Sequence, residues 1–406
     1  MQLTASTTDI LAIEGGSPVR STLLPFGVPC IGEEEISEVT EALRSGWIGS
    51  GPRALQFERE FAAYVGADHA ISLNSCTAGL FLSLKLSGVG PGAEVILPTF
   101  TFAATANVVE HLGATPVFVD IEPDTLNVDP ERVAEAITER TGAIVPVHFA
   151  GLTCDMSALL ELAQRHGLAL VEDAAHATGA RYAGRMVGSI GAATAFSFYA
   201  NKNLTTAEGG MLTTNDNRLA KLARVYRSHG LSTDAWGRFG EGHVSSPEVV
   251  LPGYSFAMPD LAAALGLPQL RKQEHFLTMR ERYAHLYDEA FEDLPVRTQP
   301  RPRDLELNRH ALHIYVLTLE PGTLRVSRDR LVEALRAENI GAGVHYLPLH
   351  EHPFYKEKHG YKPSDFPVAH AVGEHILSLP LTAGMSAQDA EDVALAVRKV
   401  LAAYAN

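Results

Sequence analysis

Cysteine is nearly absent: Cys30, Cys76 and Cys154 are the only three in 406 residues. An odd, widely spaced set offers no disulfide framework and no zinc-ligand pattern, so a reducing cytoplasm is the expected compartment. Positive charge is also scarce. Lys and Arg number 33 against 48 Asp and Glu, a net charge of -15. That balance argues against a general nucleic-acid binder, because phosphate backbones demand clustered cations. It leaves room for a small phosphorylated substrate, which needs one local positive site. No apolar run approaches the roughly 18 residues of a membrane span. The N-terminus shows no basic segment leading into an apolar one, so no signal peptide is expected. There is no GxxxxGK[ST] phosphate loop, internal repeat, low-complexity segment or metal-ligand spacing. What remains is ordinary globular composition, 46% apolar and 20% charged, in a chain long enough for two domains.

Within that chain the dominant pattern is alternation. After an irregular arm to about Pro29, Gly32-Glu33-Glu34-Glu35 opens a helix with Ile36, Val39 and Leu43 on one stripe. A second helix runs from Ala54 to Val65 and stops at Gly66. Apolar runs then predict strands at 70–73, 95–97, 116–119, 143–147 and 168–171. Helices are predicted between them at 77–86, through Asn107 and Val109, at 131–140 and at 156–166. Short apolar strands alternating with helices imply an α/β fold with a mostly parallel sheet sandwiched by helices. Ligands gather at the carboxyl ends of such strands.

The alternation breaks after Asp173. Strands are predicted at 193–199 and 210–214, then a long aperiodic stretch at 229–253, suited to function or an interface. A long helix is predicted from Pro259 to Phe291, and a Pro- and Arg-rich joint at 295–303 leads into a smaller α+β region. There, strands are predicted at 314–319 and 343–347, and helices at 328–338 and 387–403. The expected division is an arm (1–28), a large α/β domain (29–265) and a small C-terminal α+β domain (266–406).

One constellation in this frame carries chemistry. Asp173 ends the apolar run Leu168-Ala169-Leu170-Val171-Glu172-Asp173, and Lys202 follows 29 residues later. Most lysines are solvated surface charges, but this one comes after Phe196-Ser197-Phe198 and before Thr205, Thr206, Glu208 and Gly209-Gly210. An amine opposite a strand-end carboxylate suits pyridoxal phosphate (PLP). The lysine can hold the aldehyde, and the carboxylate can keep the ring nitrogen protonated. Desolvation would lower the amine's pKa, which both attack on the aldehyde and later proton transfer require. Asp173 also suits an ordinary helix cap. Asn74-Ser75-Cys76-Thr77-Ala78-Gly79 joins a strand end to a helix start, an anion site for the phosphate or simple capping by Ser75 or Thr77, or both. Ser197 is a further phosphate donor. Phe102 follows another strand end and suits either a stacking plate for the ring or the core. His176 suits the cofactor's phenolic oxygen or a structural hydrogen bond.

At these residues the chain resembles the DegT/DnrJ/EryC1/StrS family of sugar aminotransferases, PLP enzymes of fold type I. The resemblance runs from about Leu24 to the C-terminus. Its carriers are Ser-Gly-Trp-Ile-Gly-Ser-Gly-Pro (45–52), Asn-Ser-Cys-Thr-Ala (74–78), Thr-Phe-Ala-Ala-Thr-Ala-Asn (101–107) and Glu-Asp-Ala-Ala-His-Ala (172–177). Lys-Asn-Leu-Thr-Thr-Ala-Glu-Gly-Gly (202–210), Val-His-Tyr-Leu-Pro-Leu-His (344–350) and Leu-Ser-Leu-Pro-Leu (377–381) complete the set. The resemblance implies Lys202 as the covalent anchor, with Thr77, Ala78, Phe102, Asp173, His176 and Ser197 around the cofactor. It implies amino transfer to a keto-sugar, usually nucleotide-linked, with glutamate as common donor. It also implies a homodimer whose active sites draw on both subunits. Trp47, His229, His313 and His345 fall in segments that often line the sugar-nucleotide cleft, and each equally suits packing.

One departure stands out. Where the family often has Gly-Tyr-Asn-Tyr-Arg-Met, this chain reads Gly-Tyr-Ser-Phe-Ala-Met (253–258). Ser255 replaces an asparagine that commonly reaches the neighbouring subunit's phosphate, and its hydroxyl retains one donor. Ala257 replaces an arginine and removes a fixed cation from the cleft. The segments 45–52 and 344–350 are similar to those of enzymes acting at C4 of the sugar. Two competing expectations remain: a PLP-binding regulatory protein without turnover, and the family's PLP-type sugar dehydratases. The latter carry histidine in place of the lysine, so Lys202 argues against them.

Overall fold

The structure, a computed structural model, describes residues 10–233, 236–237 and 247–406. Part of the expected loop at 229–253 therefore lies outside the described residues. Helix α1 (Glu33–Ser45) begins where the Glu35 carboxylate accepts the Gly32 N–H at 2.7 Å. Its apolar stripe does not face the core. Ile36 and Leu43 are 52% and 55% exposed, whereas Ala42 and Glu35 are buried. The buried Glu35 is matched by Gln269 and Lys272, which turns the helix onto a different face. Helix α2 (Pro52–Val65) has proline at its first turn, where a missing N–H costs nothing, and ends at Gly66 with φ 72°.

The central sheet uses β1 (His69–Leu73), β2 (Glu94–Pro98), β3 (Thr115–Val119), β4 (Thr141–Ile144) and β5 (Ala169–Asp173). After a separate hairpin of β6 (Arg181–Tyr182) and β7 (Arg185–Met186), β8 (Ala193–Ser197) and β9 (Gly210–Thr214) complete it. The order is β1-β9-β8-β5-β4-β2-β3. Only the two pairings made by β9 are antiparallel. Alternation along each strand sends Ile96, Ile144, Leu170 and Phe196 into one core. Their neighbours Val95, Leu97, Ala143, Val171 and Ala195 pack into another. Burial on both faces is why these strands read as unbroken apolar runs.

Helices α3 (Cys76–Leu86), α4 (Ala103–His111), α5 (Pro130–Ala136), α6 (Met156–His166) and α7 (Asn217–Arg227) flank this sheet. Predicted to reach residue 140, α5 ends at Ala136, because Thr138 instead bonds Thr141 and Glu94. No element was expected where α7 lies. Its buried face carries only Leu219, Ala220 and Ala223 besides Arg227, and Asp216 caps it. The single helix expected from Pro259 to Phe291 is two: α8 (Asp260–Arg271) and α9 (Gln273–Phe291). They part at Lys272, which pairs with Glu34 and Glu35 of α1. Leu267 and Leu270 of α8 stay in the core with Phe57 and Phe61, while Tyr283 and Tyr287 of α9 enter a third core.

That third core lies under a small antiparallel sheet of β10 (Val296–Arg297), β11 (Tyr315–Leu319) and β12 (Ile376–Leu379). Helices α10 (Arg328–Ala337) and α13 (Ala387–Tyr404) cover it, the latter closed by a Ser386–Asp389 capping box. Short helices α11 (Pro353–His359) and α12 (Pro367–His375) lie between them in sequence. The strand expected at 343–347 does not form. Only Gly343 pairs, with Ser378, and the next residues leave the sheet so that His345 and Tyr346 reach Ser378 and His176 with their side chains. The N-terminal arm is stitched on by Leu24, which bridges Ile340. Among the described residues no helix is long and apolar enough to cross a membrane.

Candidate active site

The carboxyl ends of β1, β2, β5 and β8 deliver residues 74–78, 99–102, 173–176 and 197–202 to one region. Because side chains alternate, Glu172 and Asp173 at the end of β5 face opposite ways. Glu172 is fully buried and accepts from Gly191 N–H and Thr194 Oγ1, each at 2.8 Å, and lies 3.0 Å from His148 Nε2. Asp173 takes a Thr105 hydroxyl at 2.8 Å and the Ala175 N–H at 3.1 Å. Burial raises its pKa, opposed by those two hydrogen bonds and by the positive charge of Lys202. The Ala175 bond is the local cap that Asp at this position suits, so capping and a site role coexist.

Lys202 sits in the turn between β8 and β9. Its side chain is half-buried, and its Nζ lies 3.3 Å from His313 Nε2. Among the described residues neither Lys202 nor Asp173 forms an ion pair. Burial lowers the amine to about 8, against the opposing influence of Cys76 and Asp173. Three histidines crowd the amine. His176 accepts the Ala150 N–H on Nδ1 (3.2 Å), faces the Tyr346 hydroxyl with Nε2 (3.2 Å), and its ring lies 4.4 Å from that of His313. His345 pairs with Ser378 and stacks on Phe26 at 5.1 Å. Burial first, and the Lys202 charge second, hold His345 at about 4 and the other two well below the ordinary imidazole range. All three are neutral near neutral pH.

The start of α3 forms another wall. Ser75 Oγ caps it by accepting the Ala78 N–H at 3.1 Å, and the leading N–H groups of the helix have no partner inside it. Gly210, just after the lysine turn, is pressed against this terminus. A Cβ there would lie 2.4 Å from the Ser75 carbonyl carbon and 2.5 Å from Cys76 N, so only glycine permits the approach. Thr77 is exposed, Ala78 and Ser197 are buried, and Phe102 is 63% exposed with its ring 6.2 Å from Tyr346.

The remaining sequence candidates lie elsewhere in the chain. Trp47 packs edge-on against Trp236 at 4.9 Å and donates to the Ser50 carbonyl. His229 is exposed at φ 60°. Ser255 is exposed, and its carbonyl accepts from Asn74. Among the described residues no hydrogen bond or ring contact joins Trp47 or His229 to the Lys202 cluster, whereas Ser255 meets the segment 74–78 through Asn74. Conversely, Thr105, Asn203 and Tyr346 belong to the cluster and were not singled out, although each lies inside a motif already noted. Adjacency to Phe102, Lys202 and His345 was the available signal.

These features fit a PLP phosphate, ring and aldehyde. A helix terminus that only a glycine can approach so closely faces the same region as an amine and a carboxylate that, among the described residues, have no ion-pair partner. With the mostly parallel sheet, they define a fold type I PLP-dependent transferase. Residues 29–398 match the DegT/DnrJ/EryC1/StrS aminotransferase family, and the chain belongs to it. It is 51% identical to the spore coat polysaccharide biosynthesis protein SpsC of Bacillus subtilis, over 94% of this chain and 98% of that one. Among solved structures, Spr1654 of Streptococcus pneumoniae, known in PLP and PMP forms, superposes with TM-score 0.86 at 34% identity, covering 93% and 98% of the two chains. DesI, solved in the presence of its TDP-sugar product, superposes with TM-score 0.84 at 32% identity, covering 98% and 97%. The protein is a PLP-dependent sugar aminotransferase.

Proposed function

We propose that Lys202 holds the cofactor covalently and then carries the proton, that Asp173 serves the ring nitrogen, and that Thr77, Ala78 and Ser197 with the α3 terminus hold the phosphate. One observation carries this reading: an amine and a buried carboxylate feel each other's charge, yet among the described residues neither is neutralised by an ion pair. When bound, PLP accepts the amino group of a donor amino acid and passes it to a ketone. Asp173, oriented by Thr105 and Ala175, presents negative charge to an N–H. Lys202, held near 8, keeps a useful neutral fraction, so it can take a proton from carbon and return it. Phe102 at the mouth offers a flat apolar face to the ring, and neutral His176 suits a phenolic oxygen.

The acceptor we infer is a nucleotide-linked keto-sugar aminated at C4, with L-glutamate as donor. DesI was solved with a TDP-sugar product, and SpsC is named for polysaccharide assembly, a process fed by nucleotide-linked sugars. Segments 45–52 and 344–350 carry the C4 reading. Ala257 leaves the nucleotide without the family's usual cation, so Trp47, His229 and His345 become the residues suited to line that end. We further infer a cytoplasmic homodimer with shared sites. Ile36 and Leu43 expose an apolar stripe on α1 that a second copy would cover, and His229 lies apart from its own chain's cluster.

The test is direct. Purified protein should be yellow and should bleach with L-glutamate as 2-oxoglutarate is released. Candidate amino-sugar nucleotides, run in the reverse half-reaction, should then identify the acceptor. A chromophore that no amino donor alters would overturn the transaminase assignment of this site.

A further inference from the structure

Among the described residues the Lys202 amine has one hydrogen-bond partner, His313 Nε2 at 3.3 Å. The tautomer of that ring is set from its far side. Asn203 donates its Nδ2 hydrogen to the Ala311 carbonyl at 2.6 Å, which leaves Asn203 Oδ1 facing His313 Nδ1 at 3.2 Å. A carbonyl oxygen can only accept, so Nδ1 carries the proton and Nε2 offers its lone pair to the amine. The backbone beneath is fixed as well. The buried Arg280 guanidinium donates to the carbonyls of Leu312, His313 and Leu381, and Leu312 N–H donates to His310 Nδ1 at 2.9 Å.

The other titratable groups around the amine are Asp173 at the end of β5, Cys76 at the start of α3, and His176 and His345 from adjoining loops. Arg280 is the further charged group facing His313. None of these reaches the amine with a hydrogen bond. A carboxylate at position 313 would hold the amine equally well but would favour its protonated form. A leucine would leave it unheld.

Resting on the reading of Lys202 as the cofactor lysine, we propose that His313 is the positioning residue for its free amine. A single hydrogen bond donated by the amine to the neutral ring's Nε2 fixes the amine without placing an opposite charge beside it. Asn203 sets the tautomer that makes this possible. Burial keeps the ring uncharged throughout the working range.

The experiment uses cofactor-free wild-type protein and His313→Gln, His313→Leu and His313→Asp, each mixed with PLP across a pH series. Capture of the aldehyde is followed by absorbance, and the captured lysine is then reduced and mapped. Wild-type capture should accelerate with pH and level off near 8, where the amine becomes neutral. His313→Gln, still a neutral acceptor, should keep that inflection. His313→Asp should raise it by about one pH unit, the effect of a neighbouring opposite charge. His313→Leu should slow capture roughly fivefold, the worth of one hydrogen bond between neutral groups. An unmoved inflection in His313→Asp, or wild-type rates in His313→Leu, overturns the proposal. If His313→Asp does not fold, His313→Leu decides by the same criterion. Wild-type label found away from Lys202 would instead overturn the lysine assignment, so the two failures are distinguishable.

Discussion

Replacing Lys202 with methionine should make the cofactor-free protein more stable while ending its activity. Methionine keeps the length and flexibility of the lysine stem and removes only the charge. Moving an amine from 10.5 to about 8 on folding costs roughly 3 to 4 kcal/mol near neutral pH, at about 1.4 kcal/mol per pH unit. Lys202 is only half-buried by its own surface, though enclosed by protein, so water screens part of this cost and about 2 kcal/mol is the expected gain. The sign follows from proton binding. Below about 8 the amine is charged in both states and the folded state bears the full penalty; between about 8 and 10.5 only the unfolded chain stays protonated, and the penalty fades. Urea unfolding of both proteins should therefore show a gap of about 2 kcal/mol near neutral pH that shrinks to below about 1 kcal/mol by about pH 10. A variant equal to or less stable than wild type near neutral pH would refute the idea that this amine is desolvated at a cost.

Other consequences are separable. Lys202→Ala should abolish turnover, leaving less than about a thousandth of the rate, with an unchanged circular dichroism spectrum. Asp173→Asn keeps the Thr105 and Ala175 contacts largely in place but removes the charge; amino transfer should fall at least about a hundredfold in half-reaction kinetics. Ala207 holds φ 66°, a strained conformation for a side-chain-bearing residue, so Ala207→Gly should stabilise the protein by about 1 kcal/mol in thermal or urea unfolding. Ile36→Lys with Leu43→Lys should leave the fold intact yet shift the protein towards monomer in sedimentation, with activity lost in parallel if sites are shared.

The sheet was legible because its strands are buried on both faces and leave continuous apolar runs at 95–97 and 116–119. The reversal of β9 was not, since a strand's direction depends on its pairing and leaves no mark in its own residues. Helix α7 escaped notice because Arg227 lies buried in its inward face, paired with Glu58 and bonded to the Ser72 carbonyl at 2.9 Å. A pattern search expects an apolar residue there. The break at Lys272 likewise depends on glutamates far away in sequence. In the site, Asp173 and Lys202 announced themselves by position after apolar strands. The contributions of Thr105, Asn203 and Tyr346 are contacts between distant segments, and short polar side chains inside motifs carry no sign of what they will meet. The exposed stripe on α1 misled in an instructive way: amphipathic spacing marks an apolar face without saying whether the chain's own core covers it.

The most direct test is chemical. Protein incubated with PLP, reduced with borohydride, digested and sequenced by mass spectrometry should carry the pyridoxyl group on the peptide containing Phe198-Tyr199-Ala200-Asn201-Lys202. Modification of any other lysine in its place, or none at all, would contradict the account.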